Sequence, residues 1–283
     1  MLMGESRRLV AVPHTLSSVH AAVEALWPLA GAESWDAPGL LSGDPAAGVE
    51  RILLAVDAVA DTVDEAIERE ADLLLVHHPL LMRGVTSVAE DRYKGALLAR
   101  LIRADCALIA AHTNADVVAD GTSAVLAARL GLVDPTPIDP SGDGETGIGR
   151  VGTLSEPTTL GALARRVADL LPPTAGGVRA SGDYHQPVSR VAVCGGAGDS
   201  LLSAEAVRSA DVYITADLRH HPASEAREQA LLSGGPALLD VSHWASEWLW
   251  LDTAAAQLRA ALPGVSVEVS ELRTDPWDFA ILQ

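Results

Sequence analysis

The sequence predicts an α/β fold made of two α/β domains, each with a mixed but mainly parallel sheet. Two observations lead to this prediction. Short, almost continuous apolar runs alternate along the chain with segments whose apolar residues have helical spacing. The connections between them are short, as in right-handed strand–helix–strand crossovers. A chain of 283 residues is also long enough for one or two domains.

The first block of predicted elements precedes residue 134. Residues 51–57 (RILLAVD) have the apolar run of a buried strand, and residues 61–70 have helical spacing with acidic residues in the first turn. The remaining elements of this block are a strand over 72–76, a helix over 95–102, a strand over 106–111 and a helix over 122–130 that ends before Gly131.

Residues 134–149 are rich in Pro, Gly and Asp, and they are predicted to be the linker between domains. Their G-x-G-x-x-G pattern at Gly142, Gly144 and Gly147 follows Pro-rich sequence and not a buried strand. We therefore interpret it as a flexible connection and not as a dinucleotide-binding loop.

The second block alternates in the same way. Its predicted strands cover 150–154, 188–194, 211–215, 237–241 and 265–269, and its predicted helices cover 159–170, 203–209, 223–233 and 243–261. We assign residues 1–133 and 237–283 to a metal-binding α/β domain and residues 150–236 to a second α/β domain.

One pattern occurs in both blocks. Ala71-Asp72 begins a strand that ends at His77-His78-Pro79, and Ala210-Asp211 begins a strand followed by His220-His221-Pro222. Either an ancient duplication of the α/β unit or chance explains this pattern.

Composition limits the classes of function. No run of about 18 apolar residues is present, so no membrane span is predicted. Residues 1–12 lack the apolar stretch of a secretory signal, and Cys106 and Cys194 lie in apolar strand-like runs, which together favour the cytoplasm. The formal net charge of −18 disfavours binding to nucleic acid.

Three predicted strand ends carry residues that bind metal ions. His77 and His78 follow the second strand, and Pro79 biases His78 toward an extended conformation, so that both imidazoles can face the crevice where open α/β sheets bind ligands. The alternative is a pair of polar residues satisfied within a loop.

The segment AHTNAD brings His112 and Asp116 to the same edge of the sheet, and this mixture of imidazole and carboxylate suits Zn, Mn, Fe or Ni. The alternative is an ordinary turn that caps the next helix.

The third motif is VSHWASEW. If the last helix begins near Ser242, then His243 and Glu247 lie one turn apart on one face and can chelate or bridge metal ions. The alternative is an amphipathic helix with exposed polar residues. Taken together, the three strand ends offer about the ligands that two ions need when water completes them.

Six segments resemble the GTP cyclohydrolase 1 type 2 family, also called NIF-three-like dinuclear metal-centre proteins. They are ESWDAPGLLSGDP, LLLVHHPLL, AHTNAD, CGGAGDS, ITADLRHHPASEA and DVSHWASEW. The resemblance spans nearly the whole chain. It implies a two-domain protomer, a toroidal homohexamer and two divalent ions held by five ligands: His77, His78, Asp116, His243 and Glu247. The chain has Ala37 where many relatives have Asn, and it lacks the inserted middle domain that some relatives carry.

The leading hypothesis is a dinuclear metal-dependent hydrolase that acts on a nucleotide or related small molecule, in which the ions activate water and clamp substrate oxygens. The catalytic residues stay open, with Glu247, His112, His220 and His221 as candidates, of which His220 and His221 would assist proton transfer. Asp36 and Asp217 are candidates for supporting the ligands, and the glycines at 195, 196 and 198 are candidates for phosphate binding. The competing hypothesis is a non-catalytic toroidal scaffold or metal-trafficking protein.

Overall fold

The computed structural model describes residues 14–142 and 144–281, so residues 1–12, considered above as a signal segment, lie outside it. In chain order the strands are β1 (His14–Thr15), β2 (Gly39–Ser42), β3 (Gly48–Val49), β4 (Arg51–Ala55), β5 (Leu73–Val76), β6 (Ala107–Ala110), β7 (Leu132–Thr136), β8 (Asp139–Ser141), β9 (Thr146–Ile148), β10 (Arg150–Thr159), β11 (Arg179–Ser181), β12 (Pro187–Ala197), β13 (Val212–Ala216), β14 (Ala237–Val241) and β15 (Ser266–Val269). The α-helices are α1 (Leu16–Leu26), α2 (Ala60–Glu68), α3 (Tyr93–Arg103), α4 (Thr113–Asp116), α5 (Thr122–Arg129), α6 (Leu160–Leu170), α7 (Glu205–Arg208), α8 (His220–Ser233) and α9 (His243–Ala261).

Two sheets organise the chain, and the predicted α/β class is confirmed. The first sheet has the order β15-β4-β5-β6-β2, in which only the edge strand β2 is antiparallel to its neighbour. The second has the order β11-β14-β13-β12-β10-β7, with parallel pairing at its centre and antiparallel pairing toward both edges.

The largest hydrophobic core lies between the sheets and is filled by α1, α5 and α9. Side chains alternate along each strand, so Ile52 and Leu54 enter this central core whereas Leu53 faces the outer core under α2 and α3. On the far side of the second sheet, Cys194 and Tyr213 contribute to a third core beneath α7 and α8. Both parallel regions are therefore covered on two faces, which explains why their strands are continuous apolar runs.

Two features of the chain differ from expectation. The strand over 237–241, which we grouped with the first domain, pairs in parallel with β13 of the second sheet. The segment 134–149, interpreted as a flexible connection, contains the end of β7 and a hairpin formed by β8 and β9. Its glycine pattern opens no helix, because the residues that follow it continue into β10. The division into two domains stays a prediction.

Three structural details position the functional residues. Ser242 caps the N-terminus of α9, where its hydroxyl accepts a hydrogen bond from the backbone N–H of Ala245, so α9 begins at His243 as predicted. Trp250 fixes α9 against α1 through an edge contact with Trp27, with ring centroids 5.1 Å apart. Among the described residues, no helix is both long and apolar enough to cross a membrane.

Candidate metal centre

The carboxyl ends of strands from both sheets meet at one place. His77 and His78 directly follow β5, His112 and Asp116 follow β6, and α9 presents its first turns directly after β14. The structure thus brings together all five ligands predicted from the sequence, and His112 with them.

The ligand atoms are close to one another. Glu247 lies at the centre, with Oε2 3.0 Å from His78 Nε2 and Oε1 3.0 Å from His243 Nε2. The Nε2 atoms of His78 and His243 are 3.2 Å apart. On the other side, His77 Nε2 lies 3.6 Å from Glu247 Oε1 and 3.7 Å from Asp116 Oδ1.

Two overlapping groups in the described chain could hold a metal ion. The first is His77, His78 and His112, and the second is His78, His243 and Glu247. Within each group the candidate ligand atoms all lie within 4.8 Å of one another. His78 belongs to both groups, so its side chain lies between the two candidate ion positions.

Each imidazole is oriented by a hydrogen bond at Nδ1. That of His77 contacts the carbonyl oxygen of Ala111 at 2.8 Å, and that of His78 contacts Asp57 Oδ1 at 2.7 Å. The Nδ1 atoms of the other two histidines each lie 2.8 Å from an aspartate, in the pairs His112–Asp36 and His243–Asp217. With Nδ1 occupied by an acceptor, Nε2 is the free nitrogen that can bind a metal.

These contacts place Asp36 and Asp217 in the supporting role predicted for them, and they reveal Asp57, which the sequence analysis missed. Asp57 ends the apolar run of β4, so it is the polar residue that follows a third parallel strand of the first sheet. That position was the available signal, because carboxyl ends of parallel strands share one edge.

The cluster is buried and strongly charged. Burial by itself would lower the pKa of His78 and of His243. The attraction of Glu247, together with Asp57 beside His78 and Asp217 beside His243, outweighs burial and raises the pKa of His78 to about 10 and that of His243 to about 11. Burial alone would raise the pKa of Glu247, yet the neighbouring imidazoles hold it well below its usual range. The pKa of Asp116 is raised by burial, against the opposing attraction of His77. The buried carboxylates thus favour positive charge at the imidazoles, and a bound cation would compete with protons for the Nε2 atoms.

Two observations test whether a metal ion fits here. His77 is fully buried and its Nε2 has no hydrogen-bond partner among the described residues, an arrangement that a native structure rarely leaves unexplained. Imidazole and carboxylate are also the donor set of Zn, Mn, Fe and Ni sites. A divalent cation would satisfy the free nitrogen and offset the buried carboxylates, so the residues fit a metal.

Gly196 makes room for the centre. Its φ is +70°, and a Cβ at this position would lie 2.3 Å from Glu247 Oε1 and 3.3 Å from His243 Nε2. Its backbone N–H donates to Ser246 Oγ at 2.9 Å, which ties the end of β12 to α9. Only glycine combines this backbone conformation with such close approach.

The centre lies in a cleft of about 550 Å³ that opens to solvent. His78, His112, Asp116, His243 and Glu247 line it. Further lining comes from the 58% exposed Trp35 at one side and from the β8–β9 hairpin through Asp139 and Ile148. A small molecule could therefore reach the candidate ligands.

Two other predicted features lie differently. His220 and His221 are exposed on the first turn of α8 and are not among the side chains that line this cleft. In the glycine segment, the N–H of Gly195 donates to Ser123 Oγ at 3.1 Å, and that of Gly196 is already engaged. Two of the amides considered for phosphate binding are thus used within the protein.

Comparisons with known proteins identify the family of the chain. The family model described as Duf34/NIF3 (NGG1p interacting factor 3) matches residues 14–276. A Streptomyces coelicolor protein named GTP cyclohydrolase 1 type 2 homolog is 49% identical over 271 residues, which cover 93% of each chain. A Clostridium perfringens protein of the same name is 31% identical over 272 residues, covering 93% of this chain and 99% of its own.

Solved structures show the same fold. A Staphylococcus aureus hypothetical protein superposes with a TM-score of 0.86 at 27% identity, covering 95% of this chain and 100% of its own. A Bacillus cereus protein related to NIF3 also superposes with a TM-score of 0.86, at 23% identity and the same coverage.

Proposed function

The chain belongs to the Duf34/NIF3 family, as its motifs predict, and on that premise we propose that it is a dinuclear metal-dependent hydrolase acting on a nucleotide or a related small molecule. One observation carries the proposal: four imidazoles and two carboxylates lie close together, and all of them except the fully buried His77 line an open cleft. A catalytic centre needs access of this kind, whereas a structural metal site is closed.

In this proposal five residues hold two divalent ions: His77, His78, Asp116, His243 and Glu247. Bound ions would supply Lewis acidity that activates water and polarises substrate oxygens. Asp57 and Asp217 hold two of the imidazoles in the tautomer whose Nε2 is free, and the backbone carbonyl of Ala111 does the same for His77. His112 lines the cleft and remains a candidate for proton transfer or for a further ligand.

The name shared by the curated relatives motivates the substrate class. Relatives that match over 93% of this chain are named homologues of GTP cyclohydrolase 1 type 2, so guanine nucleotides are the first compounds to test. The cleft volume of about 550 Å³ lies in the range of small-molecule sites.

The experiment is metal analysis followed by a substrate screen, on the parent protein and on Glu247→Ala. We expect two ions per chain in the parent after incubation with Zn²⁺, Mn²⁺ or Fe²⁺, and a clear loss in Glu247→Ala because that carboxylate lies between His78 and His243. Glu247→Gln is the isosteric control, which separates loss of charge from loss of volume. Trace metal in the parent under all three conditions would contradict the dinuclear centre.

A second function is favoured by the deep burial of two ligands, His77 at 0% and Glu247 at 4% exposure. Such burial suits ions that stabilise a scaffold or are stored there. If the parent binds two ions, yet guanine nucleotides, other nucleotides and phosphoesters are turned over no faster than by Glu247→Ala, this non-catalytic alternative replaces the hydrolase.

Self-association belongs to the same proposal, with the homohexamer expected from the family resemblance. Leu231 and Leu232 on α8 are 73% and 82% exposed, and Trp277 and Phe279 are 68% and 77% exposed. Exposed apolar side chains in such groups favour contact with another protein surface, here a second copy of the chain. Light scattering on the purified protein would give the number of copies, and a monomer would contradict this part of the proposal.

A further inference from the structure

The segment that follows β15 contacts residues that support the metal centre. It is held at its start by Ser270, whose hydroxyl donates a hydrogen bond to Glu65 and whose carbonyl accepts one from Trp248 Nε1 at 3.0 Å. From residue 271 to residue 281 the described chain has no regular secondary structure. Side chains of this segment line a second cleft of about 730 Å³ together with His78 and His243. We call residues 271–277 the carboxyl-terminal strap.

The strap contacts the carboxylate that orients His78. The hydroxyl of Thr274 donates a hydrogen bond to Asp57 Oδ2, while the other oxygen of the same carboxylate contacts His78 Nδ1 at 2.7 Å. Thr274 is 217 residues away from Asp57 in the chain. Both oxygens of Asp57 are thus engaged, which restricts its rotation and through it the direction of the His78 ring.

The strap also contacts the helix that carries the other two ligands of the same group. Asp275 accepts a hydrogen bond from the hydroxyl of Ser242, the residue that caps α9. A carboxylate at this position is also favoured by the partial positive charge of a helix N-terminus. His243 directly follows Ser242, so this contact holds the turn of α9 that presents His243 and Glu247.

The two contacts act mainly on one of the two candidate ion positions. His78, His243 and Glu247 form the group next to the strap, and of these only His78 also belongs to the other group. The remaining members of that other group, His77 and His112, are oriented by Ala111, which directly follows β6, and by Asp36. None of the contacts described for the strap reaches those two histidines.

We propose that the strap is a positioning element of the metal centre, in which Thr274 and Asp275 preorganise the His78–His243–Glu247 group for its ion. This inference rests on the proposed dinuclear function and adds to it that the strap residues affect the affinity of one ion more than that of the other. Thr274 acts on His78, which belongs to both groups, whereas Asp275 acts on the start of α9 and so on His243, which belongs to one group only. Partners of metal-binding histidines typically contribute about 10- to 100-fold to metal affinity, which makes the effect measurable.

The test is a Co²⁺ titration of the full-length protein, followed by visible absorption and by competition with a chelator. The main variant combines Thr274→Val with Asp275→Ala, which removes both contacts. It also removes the hydrogen bond that Asp275 Oδ1 accepts from the N–H of Trp277 within the strap. We expect one of the two binding steps to weaken by about tenfold or more, with a change in the absorption bands of that step. The other step should weaken less, because His78 is the one member of its group that the strap contacts affect. Thr274→Ser, which keeps the hydroxyl, is expected to bind Co²⁺ as the parent does.

Ser270→Ala is the matched control for stability. It removes the hydrogen bond to Glu65 and the one that the Ser270 hydroxyl accepts from the N–H of Leu272, but the Ser270 hydroxyl contacts neither Asp57 nor Ser242. We expect it to lower the melting temperature without changing either binding step. Two unchanged steps in the double variant would overturn the inference, as would equal weakening of both steps. If the parent itself bound fewer than two ions, the proposed dinuclear function would fail and the strap's selective role would fall with it.

Discussion

Two triplets of parallel strands, β4-β5-β6 and β12-β13-β14, are built alike but serve the metal centre differently. In the first triplet, Asp72 precedes β5 and its Oδ2 accepts hydrogen bonds from the N–H groups of Glu50 and Arg51, both at 2.8 Å. In the second, Asp211 precedes β13 and accepts hydrogen bonds from the N–H groups of Ser189 and Arg190, also both at 2.8 Å. The shared pattern of Ala-Asp before a strand therefore has the same structural role in both halves.

The carboxyl ends of the two middle strands differ. Leu73 pairs with Ile52 and Val212 pairs with Val191, so counting along β5 and β13 from these positions makes Ala216-Asp217 the counterpart of His77-His78. The second His-His-Pro of the sequence lies four residues later, exposed on α8. The two His-His-Pro motifs are thus alike in sequence but do not occupy equivalent positions in the fold.

This difference shows how one centre uses two similar halves. The first half supplies ligands directly from the end of a strand. The second half supplies Asp217, at a φ of +55°, as the carboxylate that orients His243, and obtains its ligands from the first turns of α9. In the first half, the end of one strand provides both histidines. In the second half, a strand end provides the supporting carboxylate and a helix provides the ligands.

The largest expected effect contrasts the two histidine pairs. His78→Ala should abolish binding of both ions, because His78 belongs to both candidate groups, whereas His221→Ala should leave metal content unchanged. The measurement is metal per chain after dialysis, together with the rise in melting temperature on adding Zn²⁺. At a free concentration about 100 times the dissociation constant, binding should stabilise the parent by about 2.7 kcal/mol. Full metal content in His78→Ala would contradict the shared position of this residue.

The next effect concerns Gly196, near the end of β12, where the backbone passes close to Glu247. Gly196→Ala places a methyl group against Glu247 at a φ of +70°. We expect the free energy of unfolding to fall by about 1–3 kcal/mol from the backbone conformation. Metal affinity should also fall, because Glu247 must move.

Gly195→Ala is the matched control for this substitution. A Cβ at position 195 would meet its nearest atoms, on Thr122, at 3.4 Å, an ordinary contact. Denaturant unfolding and Co²⁺ titration of both variants would check the prediction, and equal behaviour of the two would show that Gly196 is not required by the centre.

Much of this organisation was predictable from the sequence. The parallel strands are apolar on both faces, so their runs were recognised, and ligands that directly follow such strands were predicted because strand ends share an edge. Ser242 marked the start of α9 because a serine before a helical pattern is a cap. Family membership and fold class are confirmed by the comparisons.

Other parts of the organisation were not predicted, for physical reasons. A buried parallel strand has the same apolar pattern in either sheet, so residues 237–241 did not indicate that they pair with β13. Asp57 was missed because a single carboxylate after a strand is equally typical of an ordinary loop. The helix α1 had a signal that was not used, since Thr15 caps it and Leu16, Val19 and Val23 have helical spacing.

The smallest expected effect tests the equivalence of the two halves directly. Asp72→Ala and Asp211→Ala each remove a carboxylate oxygen that accepts two backbone N–H groups at the edge of the fold. Because water can partly replace these bonds at such positions, we expect each variant to lose about 1–2 kcal/mol of unfolding free energy. The two losses should agree within about 0.5 kcal/mol and should add in the double variant, since the sites share no partners. Neither variant should change metal content. If Asp72→Ala lowered the free energy of unfolding and Asp211→Ala did not, only the first triplet would depend on its aspartate. The likeness of the two triplets would then be limited to the path of the backbone.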